Sequence, residues 1–363
     1  MIYKTINVFV HLAANKDAAA WRKAWMSGTL VGINDETPYG YGRAIGMGCV
    51  VKFSESHCEG FLVKIIRLGL RVITGFDVIH AFRQRDNLTK ADVIWTHTEA
   101  QFLAVAAILC ISKRKPKLIG QSVWLFDSWK KLTPLHKFFY RRLINHVDIL
   151  TVHSSDNLDV ARSLFPNKRI VLVPFGIPSE NMIPPIVRDG KIFRILSIGN
   201  DRHRDWTCLA CAIDGLTNAT AVILSKSAPR YLANERQNLQ VMEAQTNDEL
   251  LMHLAEANVV CVSLKPNRHA SGITVIQEAV LAGVPVVATD TGGLKDYFSS
   301  DTIRYVPPED YKALREALRE IAIHPKEAQM RAIKAQQRMV ESNIGAESFI
   351  RRHVELSREI IES

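Results

Sequence analysis

The sequence predicts an α/β protein built from two Rossmann-like domains, each a parallel sheet with helices on both faces. Three observations carry this. At 363 residues the chain exceeds the size at which single hydrophobic cores usually stop growing. Val- and Ile-rich runs of strand length alternate with helix-length amphipathic segments, and this series occurs twice. Between the two series lies PFGIPSENMIPPIVRDGK, whose four prolines and two glycines break every period and mark an interdomain linker.

The first series places strands at Ile6–Leu12, Cys49–Phe53, Val93–Thr96, Leu118–Ser122, Ile149–His153 and Ile170–Val173, with helices between them. The second places them at Arg194–Gly199, Ala221–Ser225, Leu239–Met242, Val259–Ser263, Val284–Thr289 and Ile303–Val306. Thr246 and Glu249 have capping-box spacing and open a helix. The expected domains are residues 1–180, residues 181–340, and a helical tail, 341–363, that packs back on the first domain.

With 47% hydrophobic and 23% charged residues the composition is that of a folded protein. There is no uncharged apolar run of about eighteen residues, and the start lacks the pattern of a signal peptide, so a cytoplasmic protein is expected. The six cysteines sit mostly in apolar runs, Cys208 and Cys211 among them, which suggests buried free thiols and no metal. Net charge is +9, and it is uneven. Residues 1–180 carry 24 Lys and Arg against 14 Asp and Glu, whereas residues 181–363 carry 22 against 23. A basic first half suits a polyanion or an anionic membrane. Nucleic acid is disfavoured because no recognised binding module accompanies the charge.

The most informative segment is RHASGITVIQEAVLAGVPVVATDTGGLKDY, residues 268–297. Ser271 and Gly272 precede an apolar helix opening with Ile273 and Thr274, whose free N–H groups and dipole favour a diphosphate. Glu278 follows at a distance from which a carboxylate can accept hydrogen bonds from ribose hydroxyls. Gly199, Arg202 and Arg204 follow the first strand of the second domain, where guanidinium groups can neutralise a leaving nucleotide; pairing with Asp201 and Asp205 is the plainer alternative. Lys265, Arg268 and His269 are further donor-side candidates.

From Asp248 to Tyr297 these residues resemble the donor-binding region of family 4 glycosyltransferases and their GT-B relatives, in which two Rossmann-like domains face each other across a cleft. The resemblance implies that Glu278 is the ribose-binding glutamate of a paired-glutamate motif. The motif's first glutamate, eight positions earlier, is here Ala270, which leaves the stereochemical outcome open. In the first domain His97 and Glu99 end a strand in a loop that resembles the one relatives turn toward the donor sugar. Tyr39, Gly40, Tyr41, Gly42 and Arg43 resemble the glycine-rich loop facing the acceptor. Asp127, between aromatic residues, suits a general base or a helix cap.

Two basic, apolar segments, Glu59–Thr74 with Lys64, Arg67 and Arg71, and Trp129–Val147, have the make-up of interfacial helices. Arg83 and Arg85 could meet the pyrophosphate of a lipid-linked acceptor or pair with Asp77 and Asp86. The expectation is therefore a metal-independent enzyme without a cofactor. It moves a hexose or uronic acid from a nucleoside diphosphate sugar to a polysaccharide or lipid-linked oligosaccharide, at the inner face of a membrane. A sugar-nucleotide epimerase and a non-catalytic scaffold of the same fold are the alternatives.

Overall fold

A computed structural model describes residues 4–188, 190–234 and 236–362; Asp189 of the linker lies outside them. Twelve strands form two parallel six-stranded sheets. The first is made of β1 (Ile6–His11), β2 (Cys49–Phe53), β3 (Val93–Thr96), β4 (Lys117–Gln121), β5 (Ile149–Val152) and β6 (Ile170–Leu172), in the order β2-β1-β3-β4-β5-β6. The second is made of β7 (Phe193–Ile198), β8 (Ala219–Leu224), β9 (Leu239–Met242), β10 (Val259–Val262), β11 (Val286–Thr289) and β12 (Arg304–Val306), in the order β12-β11-β10-β7-β8-β9. All twelve coincide with expected strands to within two residues at either end. The central ones, β3, β5, β10 and β11, are buried along their whole length, as continuous Val/Ile runs covered on both faces must be.

The chain divides into two compact units, and the division is not a single cut. The first unit gathers the chain up to Met26, Asp35–Pro174 and the chain from Glu347 onward; the second comprises Ser27–Asn34 and Phe175–Ala346. The C-terminal helix joins the first unit because Phe349, Ile350 and Val354 are buried there. Beside them Trp95 of β3 donates its indole N–H to the Ser357 hydroxyl at 2.9 Å. Ser27–Asn34 joins the second unit because Ile33 packs against that unit's core.

In the second unit the helix Asn247–Glu256 starts where the sequence placed it. The Thr246 hydroxyl accepts the Glu249 N–H, while the Glu249 carboxylate reaches back to the N–H of Gln245 rather than of Thr246. The cysteine expectation needs correction. Cys49 and Cys261 are buried, but Cys58 and Cys110 are exposed and Cys208 and Cys211 half-exposed, since they fall on outward helix positions or in a loop.

In the first unit, the helix Phe61–Thr74 inverts the usual amphipathic arrangement, and none of its residues is buried. Arg67 points inward, where it pairs with Glu59 and Asp77 at 2.7 and 2.6 Å. The Tyr140 hydroxyl bonds to the Thr74 carbonyl, and His136 lies against that of Ile73. Phe61, Leu62, Val72 and Ile73 are exposed, Val72 to 83%. Arg67 thus belongs to a structural ion network, not to a free basic face. Arg83 joins it through Glu59, and Arg85 lies 3.8 Å from Asp86. Among the described residues no helix is long and apolar enough to cross a membrane.

Candidate active site

In the second sheet the strand order reverses at β7: β8 lies on one side and β10 on the other. Loops leaving the carboxyl ends of β7 and β10 therefore meet, which is where open α/β sheets bind ligands. Here they are stitched together. The Asp205 N–H donates to the Ser263 carbonyl at 2.9 Å and the Lys265 N–H to the His203 carbonyl at 2.7 Å, making an antiparallel bridge between Arg204 and Leu264.

The bridge fixes Arg204, whose side chain is the central feature of the site. The residue is only 4% exposed, and its Nε and Nη1 are buried without a hydrogen-bond partner among the described residues. Burial lowers its pKa to about 10, so it remains a cation at neutral pH. It lies in a glycine cradle: a Cβ on Gly199 would run into the guanidinium, and one on Gly272 would come within 2.9 Å of Nη1. The pairing alternative does not hold for this arginine, because the Asp205 carboxylate caps the helix Trp206–Ile213 through the Cys208 N–H and Asp201 is held by two histidines.

Gly272, in the left-handed region at φ 82°, is the N-cap of the helix Ile273–Leu281 and supplies no side-chain cap. The buried Ser271 hydroxyl also lacks a partner. An unpaired guanidinium, an unpaired hydroxyl and an uncapped helix N-terminus converge here, and an anion satisfies all three.

Glu278, on the same helix, is 7% exposed and accepts the Ile33 N–H at 3.1 Å. Burial raises its pKa to about 7, against the opposing pull of that N–H and of Arg204. Asp201 accepts from His203 Nδ1 at 3.1 Å and from His269 Nε2 at 3.2 Å. Burial alone would raise its pKa, but the hydrogen bonds from His269 and the His203 amide, with both rings nearby, hold it well below the ordinary range. These three residues are the group among those described that could hold a metal ion. Ala270, where the resemblance expects a glutamate, is buried at φ 52° with its N–H bonded to the Gly292 carbonyl. Arg202, Lys265, Arg268 and Thr274 are exposed around the site.

In the first unit the loops after β1 and β3 leave the corresponding reversal point. His97 stacks on Tyr39 with ring centroids 3.5 Å apart. Its Nδ1 faces the Tyr41 hydroxyl at 3.2 Å and Gln121 Nε2 at 3.3 Å, which assigns the proton of the neutral ring to Nε2. Burial, then His153, His353 and Lys16, keep His97 well below its ordinary pKa. Tyr39 and Gly40 adopt positive φ, and the Gly42 N–H bonds to the Thr37 hydroxyl. Arg43 is engaged by Asp35. Glu99 accepts the N–H groups of Val123 and Trp124, tying the loop after β4, and Asp127 is half-buried in a short helix there.

Residues 193–323 match the family described as Glycosyl transferases group 1. The fold is that of sucrose-phosphate synthase from Thermosynechococcus elongatus, with TM-score 0.76, 16% identity, and 98% of this chain and 99% of that chain covered. Residues 193–323 thus resemble a group 1 glycosyltransferase domain, and the chain has a GT-B fold. Two other similar structures are Anabaena Alr3699/HepE in complex with UDP and glucose (TM-score 0.67, 11% identity, 98% and 100% covered) and a glycosyltransferase from Rickettsia africae ESF-5 (0.64, 12%, 99% and 99%). No curated protein matches the chain at the sequence level.

Sequence reasoning overlooked two residues of this site. Asn267 Oδ1 accepts the N–H groups of His269 and Ser271, shaping the turn before the helix. Asn267 follows a proline, a turn signal that was there to be read. Gln277 accepts the Ile177 N–H and donates to the Phe175 carbonyl, pinning the linker to the same helix; no local pattern signals this.

Replacing Arg204 with Met is expected to stabilise the ligand-free protein by about 1 kcal/mol, because an unpaired buried charge gives way to an apolar chain of similar length. The same change should abolish UDP binding. Urea unfolding and calorimetry together check it, and a destabilised variant that still binds UDP would contradict the assignment.

The raised pKa of Glu278 sets a pH dependence. Its contribution to stability is complete below the ordinary carboxyl value of 4.5 and lost as pH rises through about 7, so Glu278→Gln should gain stability relative to wild type between pH 5 and pH 8. UDP affinity should move the other way and increase severalfold from pH 6 to pH 8, as the accepting carboxylate forms. In Glu278→Gln that increase should be absent from calorimetric titrations.

Proposed function

We propose that this protein transfers a hexose or uronic acid from a nucleoside diphosphate sugar to a hydroxyl of a polysaccharide or lipid-linked oligosaccharide. The unpaired, buried Arg204 guanidinium at an uncapped helix N-terminus is the observation that carries the reading. A diphosphate supplies the missing acceptors, and as the glycosidic bond breaks, the charge growing on the leaving nucleotide meets a cation and dipole already in position. Glu278 takes the ribose hydroxyls. UDP is the favoured nucleotide because a structural neighbour binds it.

These groups do the work a divalent ion does elsewhere, so catalysis needs no metal. Retention of configuration follows the family resemblance, with Ala270 providing no carboxylate beside the anomeric carbon. In the acceptor half, His97 offers an Nε2–H to a sugar hydroxyl, Asp127 a carboxylate, and the Tyr39–Arg43 loop a rigid wall.

Incubating the protein with radiolabelled UDP- and GDP-sugars and a membrane extract tests this. Label in glycan or lipid-extractable product is expected, and EDTA should leave the rate unchanged. A changed nucleotide sugar without transfer would indicate epimerisation, and binding without turnover a scaffold. Loss of activity in EDTA that His269→Ala reproduces would assign a metal to the Asp201 cluster.

The acceptor is met at an anionic membrane on its cytoplasmic side. The outward apolar face of Phe61–Thr74 supports this, together with exposed Leu135, Phe138 and Phe139 on the helix Pro134–Ile144 that touches it, and with Lys64, Arg71, Lys130 and Lys131. Vesicles containing anionic lipid should float the protein, and salt should release most of it. Phe61→Asp with Val72→Asp should remove the portion that resists salt. Equal flotation on neutral vesicles would overturn the electrostatic part.

A further inference from the structure

The donor-site reading leaves unexplained why Glu278, the group assigned to ribose, is almost fully covered. Its cover is Ser27–Asn34. In sequence this segment lies between two stretches of the first unit, yet it packs within the second. Backbone groups of the segment fasten it. Gly28 accepts the Asn247 N–H at 2.7 Å, Gly32 donates to Asn247 Oδ1 at 3.1 Å, and Ile33 donates to Glu278 Oε1 at 3.1 Å.

The fit beside Glu278 is close. Gly32 is held at φ 117°, a conformation open to glycine, and a Cβ there would lie 3.0 Å from Glu278 Oε1. The segment forms no helix or strand, Ile33 packs against the apolar core of its unit, and Val31 faces solvent. A loop outside the helices and strands opens locally at lower cost than the core elements do.

An amide N–H offers a carboxylate the same thing a ribose hydroxyl does, a hydrogen to accept. In the nucleotide-free chain the Ile33 amide therefore stands where a sugar hydroxyl would and spares Glu278 a buried, unpartnered charge. We propose that Ser27–Asn34 is a strap that plugs the ribose subsite and that nucleotide binding displaces it, Glu278 exchanging the Ile33 N–H for the ribose hydroxyls. This rests on the donor-site reading above. The strap subtracts from nucleotide affinity by the fraction of molecules in which it is closed.

Asn247→Ala, at a residue outside the proposed donor contacts, removes the acceptor of Gly32 and loosens the strap. UDP should then bind about three- to tenfold more tightly, the range spanned by one net hydrogen bond. Amide hydrogen exchange at Gly32 and Ile33 should be faster in this variant than in wild type, and in wild type it should accelerate when UDP is added. UDP that slows exchange at Ile33 or leaves it unchanged overturns the proposal, as does weaker binding in Asn247→Ala, since the strap would then belong to the bound site. Glu278→Ala separates the two ideas. Lost UDP affinity in that variant upholds the donor reading whatever the strap does, whereas retained affinity sinks both.

Discussion

One desolvated charge organises this molecule. The Arg204 guanidinium is held away from water with two of its nitrogens unpaired, at a cost that the nearby Asp201 and Glu278 carboxyl groups offset only in part. A fold tolerates this only where the charge has a use, and much of the second unit is arranged around keeping it. The bridge between the loops after β7 and β10 immobilises its backbone. Gly199 and Gly272 make room for its head group, and Asp205 is occupied in capping a helix and so leaves it unpaired. The Arg204 guanidinium, the Ser271 hydroxyl and the helix N-terminus at Gly272 thus bring positive charge and hydrogen-bond donors to one place.

The sheet topology explains why that charge lies where it does. Reversal of strand order at β7 parts the crossover connections and opens a crevice at one end of the second sheet. The first sheet reverses at β1 and presents its own loops, where Tyr39, Tyr41 and His97 form a stacked aromatic group around a neutral imidazole. Each unit thus places its polar chemistry at its own reversal point. The second unit presents positive charge and hydrogen-bond donors, whereas the first presents flat rings and uncharged polar atoms.

Local signals dominated what could be read from the chain. All twelve strands were legible because parallel strands covered on both faces are continuous Val/Ile runs, and the helix starting at Ile273 was legible from Ser271, Gly272 and the apolar run that follows. Contacts between distant segments were not. Arg202 and Arg204 look equivalent as letters, yet one is exposed and the other buried, because the bridge to Leu264 turns alternate side chains to opposite sides. Arg67 reads as one more cation on a basic helix until Glu59 and Asp77 are seen to enclose it. The strap leaves only two glycines as a trace, and neither says that its partner lies 245 residues away. The tail, by contrast, was expected to pack back because its apolar period outlasts the second sheet.

The return of the C-terminal helix to the first unit bears on how the protein is made. Synthesis is vectorial, so the first sheet leaves the ribosome long before the helix that covers Trp95 and Tyr41. Throughout translation of the second unit that aromatic surface waits uncovered, and the indole N–H of Trp95 waits for Ser357. The strap has the reverse problem, emerging early and finding no surface to dock on until Asn247 and Glu278 have folded. The first unit therefore closes only after the second has been synthesised.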